Sequence, residues 1–154
     1  MALDVGGKRI GVAVADETRT IASPIAVVAR GHHDHVEIAR LVDQWKVEGL
    51  VIGLPTGLSG REGPQAADVR HYAKGLAAAL GPEPLIDFWD ERLTTAIAER
   101  VLIANGTRRA RRKEQIDAVA AAVILQDYLD AAHQRRVRGV TSGRPPGQRP
   151  DRES

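Results

Sequence analysis

The chain has 154 residues, 43% of them hydrophobic, and contains no cysteine. This length and composition predict one globular domain with a core of its own, and the lack of cysteine excludes disulfides, thiolate metal sites and a cysteine nucleophile. No apolar run in the sequence approaches the ~20 residues of a membrane span. The first residues show no basic leader before an apolar stretch, so a cytoplasmic protein is expected.

The formal net charge of +2 is distributed unevenly along the chain. Residues 1–133 carry 16 basic and 18 acidic side chains, a net of −2, whereas residues 134–154 carry six arginines and two acids, a net of +4. Five basic residues of the first part are crowded into residues 108–113. Such a local basic patch suits a polyanionic partner, although a solvated charge run explains it equally well.

The first 29 residues have the pattern of three short strands. The stretches 10–15 and 21–29 are apolar and rich in β-branched residues, and a shorter apolar stretch surrounds Asp4. The spacers between them are short, and the first contains Gly6-Gly7. These features predict antiparallel hairpins.

The middle of the chain alternates between helix and strand. A helix is predicted from Asp34 to about Val47, because its apolar residues recur at helical spacing; among them are Val36, Ile38, Leu41 and Trp45. The apolar run Leu50–Leu54 predicts a buried strand that Pro55 ends. Two further elements follow, a helix at 64–80 stopped by Gly81-Pro82 and a strand at 85–89.

Two helices are predicted in the remainder of the domain. The first begins at Thr94 or Thr95 and ends near Ala104, before Asn105-Gly106. A basic loop over 107–113 leads to the longest helix, from Glu114 to about His133. The Arg-, Gly- and Pro-rich remainder predicts disorder, so we expect a domain at 1–133 and a basic tail at 134–154.

The resulting element order, β-β-β-α-β-α-β-α-α, identifies the fold as α/β. Three leading strands followed by alternating helices and strands predict a mixed five-stranded sheet flanked by helices. A flavodoxin-like sheet would alternate from its first strand. The leading hairpins therefore favour the ribonuclease H type of layout.

Three carboxylate positions are the strongest functional signal. Asp4 lies in the first strand, Asp90-Glu91 follows the strand at 85–89, and Asp117 lies in the first turn of an Ala-rich apolar helix. A carboxylate beside apolar residues is costly unless it is paired or binds a metal, and hard cations such as Mg²⁺ take oxygen ligands. Together these positions predict one shared divalent-cation site, of the kind that cleaves phosphodiesters.

Each carboxylate also has an ordinary explanation. Asp4 could cap a turn, the acids beside Arg92 could form a surface salt bridge of little energetic value, and Asp117 could simply complement a helix dipole. Because successive strand side chains point to opposite faces, only one of Asp90 and Glu91 can lie on the metal side.

These segments resemble the YqgF family, also called RuvX-type or Holliday junction resolvase-like proteins, of the ribonuclease H superfamily. The similarity covers residues 1–133 in order. The matching pieces are Asp4-x-Gly6 with Lys8-Arg9-Ile10-Gly11-Val12-Ala13, Gly53-Leu54-Pro55, Asp90-Glu91-Arg92-Leu93-Thr94-Thr95, and Asp117 with Ala120-Ala121 and Ile124-Leu125-Gln126-x-Tyr128-Leu129.

The resemblance implies a metal-dependent nuclease in 5′-end maturation of pre-16S ribosomal RNA. Asp4, Glu91 and Asp117 would act as catalytic residues and hold Mg²⁺ or Mn²⁺, with Asp90 in reserve for Glu91. Basic residues would bind substrate phosphates; these are Lys8, Arg9, Arg92, Arg108, Arg109, Arg111, Arg112 and Lys113. The expected partners are structured RNA, ribosomal precursor particles or branched DNA, with no membrane, and the protein is expected as a monomer or homodimer.

Two other functions stay open from the sequence. A Holliday junction resolvase-like DNA endonuclease follows from the superfamily, and a non-catalytic RNA-binding factor follows from a departure at position 7, where the family usually has Thr and this chain has Gly. A nucleotide phosphotransferase of the actin and sugar-kinase type is disfavoured, because the chain has no room for a second similar domain.

Overall fold

The computed structural model describes residues 1–56, 61–90 and 109–142. Its strands are β1 (Ala2–Val5), β2 (Arg9–Ala15), β3 (Ala22–Ala29), β4 (Gly49–Leu54) and β5 (Leu85–Asp90). Its helices are α1 (Asp34–Gln44), α2 (Pro64–Leu80) and α3 (Arg109–Ser142). The helix predicted between Thr94 or Thr95 and Ala104 lies outside the described residues.

The strands form one mixed sheet in the order β3-β2-β1-β4-β5. β1, β2 and β3 pair antiparallel, whereas β4 pairs parallel with both β1 and β5. Three leading antiparallel strands followed by parallel ones confirm the predicted five-stranded ribonuclease H-like α/β layout.

Side-chain alternation along each strand gives the sheet two different faces. One face bears the large aliphatic side chains of Leu3, Ile10, Leu50 and Ile52, which pack with α1 and α2 residues such as Leu76. The other face bears small side chains such as Ala2 and Ala13, on which α3 packs through Ala121 and Ile124. We refer to these as the α1/α2 face and the α3 face.

Helix α2 agrees with its prediction at both ends. Pro64 occupies its first turn, where a missing amide hydrogen costs nothing, and Gly81 ends it with a φ of 84° that suits glycine. Its buried residues Ala66, Val69, Ala73 and Leu76 recur every three or four positions, which is the pattern of a helix with one apolar face.

Helix α1 is shorter than predicted. It ends at Gln44, because Lys46 adopts a φ of 49° in the left-handed region and Val47 donates its amide to the Val42 carbonyl. The predicted apolar stripe is only partly buried. Ile38 and Leu41 lie in the core, whereas Val36 is 65% exposed and Trp45 is 47% exposed.

Helix α3 is longer than predicted at both ends. It begins at Arg109, so residues 109–113 are helical and the predicted basic loop is wrong there. It also continues beyond His133 to Ser142, so the predicted disorder is wrong over residues 134–142. Arginine and glutamine are good helix formers, and they extend a helix that is already anchored on the sheet. The functional division between a domain and a basic tail stays a prediction.

Candidate metal and nucleic-acid site

Asp4 on β1 and Asp117 on α3 lie on the same side of the sheet. Asp4 follows Ala2 by two positions on β1, so its side chain points to the α3 face, and its half-buried position is partnered across the strands by Gly11. A Cβ placed on Gly11 would lie 1.7 Å from the Asp117 carbonyl oxygen. Glycine at position 11 therefore brings the helix backbone at Asp117 against the strand that neighbours Asp4.

Arg9 forms the described ion pair of Asp117. Its Nε donates to Asp117 Oδ2 at 2.9 Å, and the two side chains are 33% and 23% exposed. Arg9 lies two residues before Gly11 on β2, so it belongs to the same face. The sequence predicts Arg9 as a substrate-binding residue or an ordinary residue of the hairpin turn, and it does not predict this ion pair.

Asp90 lies on the other face. The parallel register pairs it with Leu54, which is buried in the α1/α2 core, whereas Trp89 packs with α3. Thr56 Oγ1 donates to Asp90 Oδ1 at 2.7 Å, so this carboxylate also anchors the chain just after β4. Asp90 thus does not share a face with Asp4 and Asp117.

The third predicted acid and part of the predicted basic patch cannot be compared with this geometry. Glu91, Arg92 and Arg108 lie outside the described residues. Within the described ranges, no three His, Cys, Asp or Glu side chains are grouped so that they could hold a metal. The three-carboxylate site therefore stays a prediction, with two of its members placed on one face.

The oxygen donors present do fit a hard divalent cation. Asp4 and Asp117 offer carboxylate oxygens, and both side chains are partly shielded from water. Ala120 and Ala121 are fully buried, so the helix lies close to the strands just beyond Asp117. That approach brings the helix that bears Asp117 onto the face to which Asp4 points.

The predicted substrate-binding residues that the structure describes lie in two segments, the β1–β2 turn with the start of β2 and the first turns of α3. Lys8 is exposed in the turn between β1 and β2, next to Arg9. The backbones of Arg109, Arg111, Arg112 and Lys113 form the first turns of α3. Arg109 precedes Asp117 by eight residues, or ~12 Å along a helix axis.

An aromatic pair borders the same face at β5. The rings of Trp89 and Tyr128 meet edge to face with centroids 5.7 Å apart, and the Tyr128 hydroxyl donates to Asp87 Oδ2 at 3.3 Å. Burial, together with the negative charge of Asp87, raises the pKa of the Tyr128 phenol. The Tyr128–Asp87 hydrogen bond thus links α3 to β5.

Comparison with known proteins agrees with this arrangement. Residues 1–131 match the family described as RuvX, Holliday junction resolvase. A protein of Roseobacter denitrificans named "Putative pre-16S rRNA nuclease" is 45% identical over 84% of this chain and 81% of its own length. One of Chloroflexus aggregans with the same name is 44% identical over 85% of this chain and 92% of its own length.

A solved structure shows the same fold at low sequence identity. The RuvC protein of T. thermophilus, determined in complex with a Holliday junction substrate, superposes with a TM-score of 0.52 at 15% identity. The match covers 85% of this chain and 92% of that one. A likeness at this identity concerns the fold alone. Separately, none of the described helices is long and apolar enough to cross a bilayer.

Proposed function

This chain is a member of the RuvX family of nucleases, and from that premise we propose that its α3 face cleaves RNA phosphodiesters in 5′-end processing of pre-16S ribosomal RNA. The observation that carries the proposal is the approach of α3 to β2 at Gly11, which brings Asp117 to the face that bears Asp4. The names of the curated relatives support RNA as the substrate.

Asp4, Asp117 and Glu91 would hold the cation. Glu91 is chosen over Asp90 because the strand register pairs Asp90 with buried Leu54 on the opposite face. When bound, Mg²⁺ or Mn²⁺ would supply an activated water and a stabilising charge for the leaving oxygen. We expect Mg²⁺ or Mn²⁺ because the donor set consists of carboxylates alone.

The chain's own residues would position the substrate. Lys8 in the β1–β2 turn and the basic residues in the first turns of α3 would bind backbone phosphates, which fixes the register of the nucleic acid without reading its sequence. Together these contacts would hold a phosphodiester over the α3 face. Because charge dominates contacts of this kind, we expect glycine at position 7 to be compatible with nucleic-acid binding.

The direct test is cleavage by purified protein. We expect cutting of an RNA that carries the 5′ leader of precursor 16S rRNA with Mg²⁺ or Mn²⁺, and none with EDTA. Asp4→Asn and Glu91→Gln should each reduce the rate by more than the roughly 10–100-fold that loss of an outer-shell partner costs a metal site. Asp90→Asn is the matched control, because its amide oxygen can still accept from Thr56 and it lies on the other face.

Two outcomes would replace this function with another. The family description favours a four-way DNA junction as the second substrate to assay. Preferred cutting of that junction would support the resolvase function. Tight RNA binding without cutting under any metal condition would support the non-catalytic RNA-binding factor.

A further inference from the structure

The Arg9–Asp117 ion pair uses a carboxylate that the proposed function also needs. Arg9 Nε occupies Asp117 Oδ2 at 2.9 Å. The pair joins residues 108 positions apart, on β2 and α3, so the fold and not local sequence creates it. A cation that binds Asp117 must either displace Arg9 or share the carboxylate with it.

Sharing the carboxylate would be electrostatically unfavourable. A dication on Oδ1 would lie within a few ångströms of the guanidinium that contacts Oδ2, and like charges at such distances repel even in a water-like dielectric. Arginine does not lose its proton in proteins, so this repulsion cannot be relieved by titration. Displacement is possible, because Arg9 is 33% exposed and begins its strand beside the β1–β2 turn.

Building on the proposed function, we propose that Arg9 and the divalent cation compete for the Asp117 carboxylate, and that displaced Arg9 binds a backbone phosphate of the nucleic acid. Lys8, the exposed neighbour of Arg9 in the turn, makes this edge of the face attractive to phosphate. The exchange would couple the two binding events, because each phosphate contact by Arg9 requires that Asp117 has taken another cation.

The first test measures Mn²⁺ binding to the protein alone by calorimetric titration. Arg9→Gln should bind Mn²⁺ on the order of tenfold more tightly than the parent, because a competing positive charge has been removed. Arg9→Lys, which keeps the charge, should show little of this gain. Arg40→Gln removes the same charge from the exposed Arg40–Glu37 pair on α1 and should not change Mn²⁺ affinity.

The first test has clear contrary outcomes. Unchanged or weaker Mn²⁺ binding in Arg9→Gln, with the parent binding normally, overturns the competition and leaves the proposed function intact. No Mn²⁺ binding by either protein overturns both. If Arg9→Gln fails to fold, Arg9→Met, which keeps the apolar stem, takes its place.

The second test measures RNA binding in EDTA, where cleavage plays no part. Asp117→Asn should release Arg9 to a phosphate and steepen the slope of log affinity against log salt by ~0.7–0.9. Adding Arg9→Gln should remove that increment. Asp87→Asn, which deletes the same charge from a carboxylate that accepts from the Tyr128 hydroxyl on the same face, is the control and should steepen the slope less. Equal slopes for Asp117→Asn with and without Arg9→Gln would overturn the phosphate role.

Discussion

The two faces of the sheet are built from the same strands but from different classes of side chain. On β1, Leu3 enters the α1/α2 core with no exposed surface, whereas the next residue, Asp4, points to the α3 face. The α1/α2 face is filled by branched aliphatic residues. The α3 face combines alanines with the Arg9–Asp117 pair.

This difference teaches how one sheet serves stability and chemistry at once. Large side chains bury the most apolar area and contribute most of the folding free energy. Small ones contribute less but let a helix backbone approach a strand, as at Gly11. The α3 face therefore has less packing volume but a close approach of the helix that bears Asp117.

The largest predicted effect is a difference in stability between substitutions at two neighbouring residues of β1, one on each face. Leu3→Ala should lower the free energy of unfolding by about 2–5 kcal/mol, since it leaves a cavity in the core, while the folded fraction keeps its cleavage rate. Asp4→Asn should change that free energy much less, because the two side chains have nearly the same volume and no cavity is left. Urea denaturation gives both values. A large loss of stability in Asp4→Asn would mean that Asp4 is part of the structural core.

The next effect concerns the close approach itself. Gly11→Ala should cost about 1–3 kcal/mol, the usual range for overpacking, because its Cβ would meet the Asp117 carbonyl and the helix must shift. Cleavage should fall with it, as Asp117 is displaced. Gly7→Ala is the matched control on the same hairpin, since a Cβ there meets nothing within 4 Å. Equal stability of the two variants would show that α3 adjusts freely.

The sequence predicted the strands of both faces but not what joins them. The order of strands and helices follows from hydrophobic periodicity and from breakers such as Pro55 and Gly81. The exposure of Trp45 could not be predicted, because periodicity does not say where a helix ends, and Lys46 ends this one through a backbone angle.

Part of the candidate site could also be predicted from local sequence patterns. Acids in apolar settings mark Asp4 and Asp117 without any knowledge of the fold. Glycine inside an apolar strand is a signal of close backbone approach, and Gly11 carried it. The Arg9–Asp117 contact depends on tertiary packing between distant segments, which no local pattern specifies.

We expect polar contacts on the α1/α2 face to affect stability and not cleavage. The link between α2 and the β1–β2 turn provides a test. Arg30 Nη1 donates to the Gly6 carbonyl at 3.0 Å and to Asp68 Oδ2 at 2.8 Å, while its backbone amide donates to the Lys8 carbonyl. Arg30 thus links α2 to the β1–β2 turn, in which Lys8 is exposed. The hydrogen bond from Arg30 holds the pKa of Asp68 below its usual 3.8.

The smallest effect is therefore expected for Asp68→Asn. A carboxyl whose folded pKa is depressed stabilises the fold above its unfolded pKa and loses that contribution as the pH falls through the folded value. With half of its side chain exposed, the loss at pH 7 should stay below about 1 kcal/mol. The difference in free energy of unfolding between Asp68→Asn and the parent should narrow as the pH falls below 3.8, the unperturbed pKa of Asp68. Amide exchange at Gly6 and Arg30 should accelerate in Asp68→Asn but not in Glu37→Gln, which breaks an exposed pair of similar kind on α1. Unaltered exchange at both amides would mean that contacts with α2 do not stabilise the β1–β2 turn.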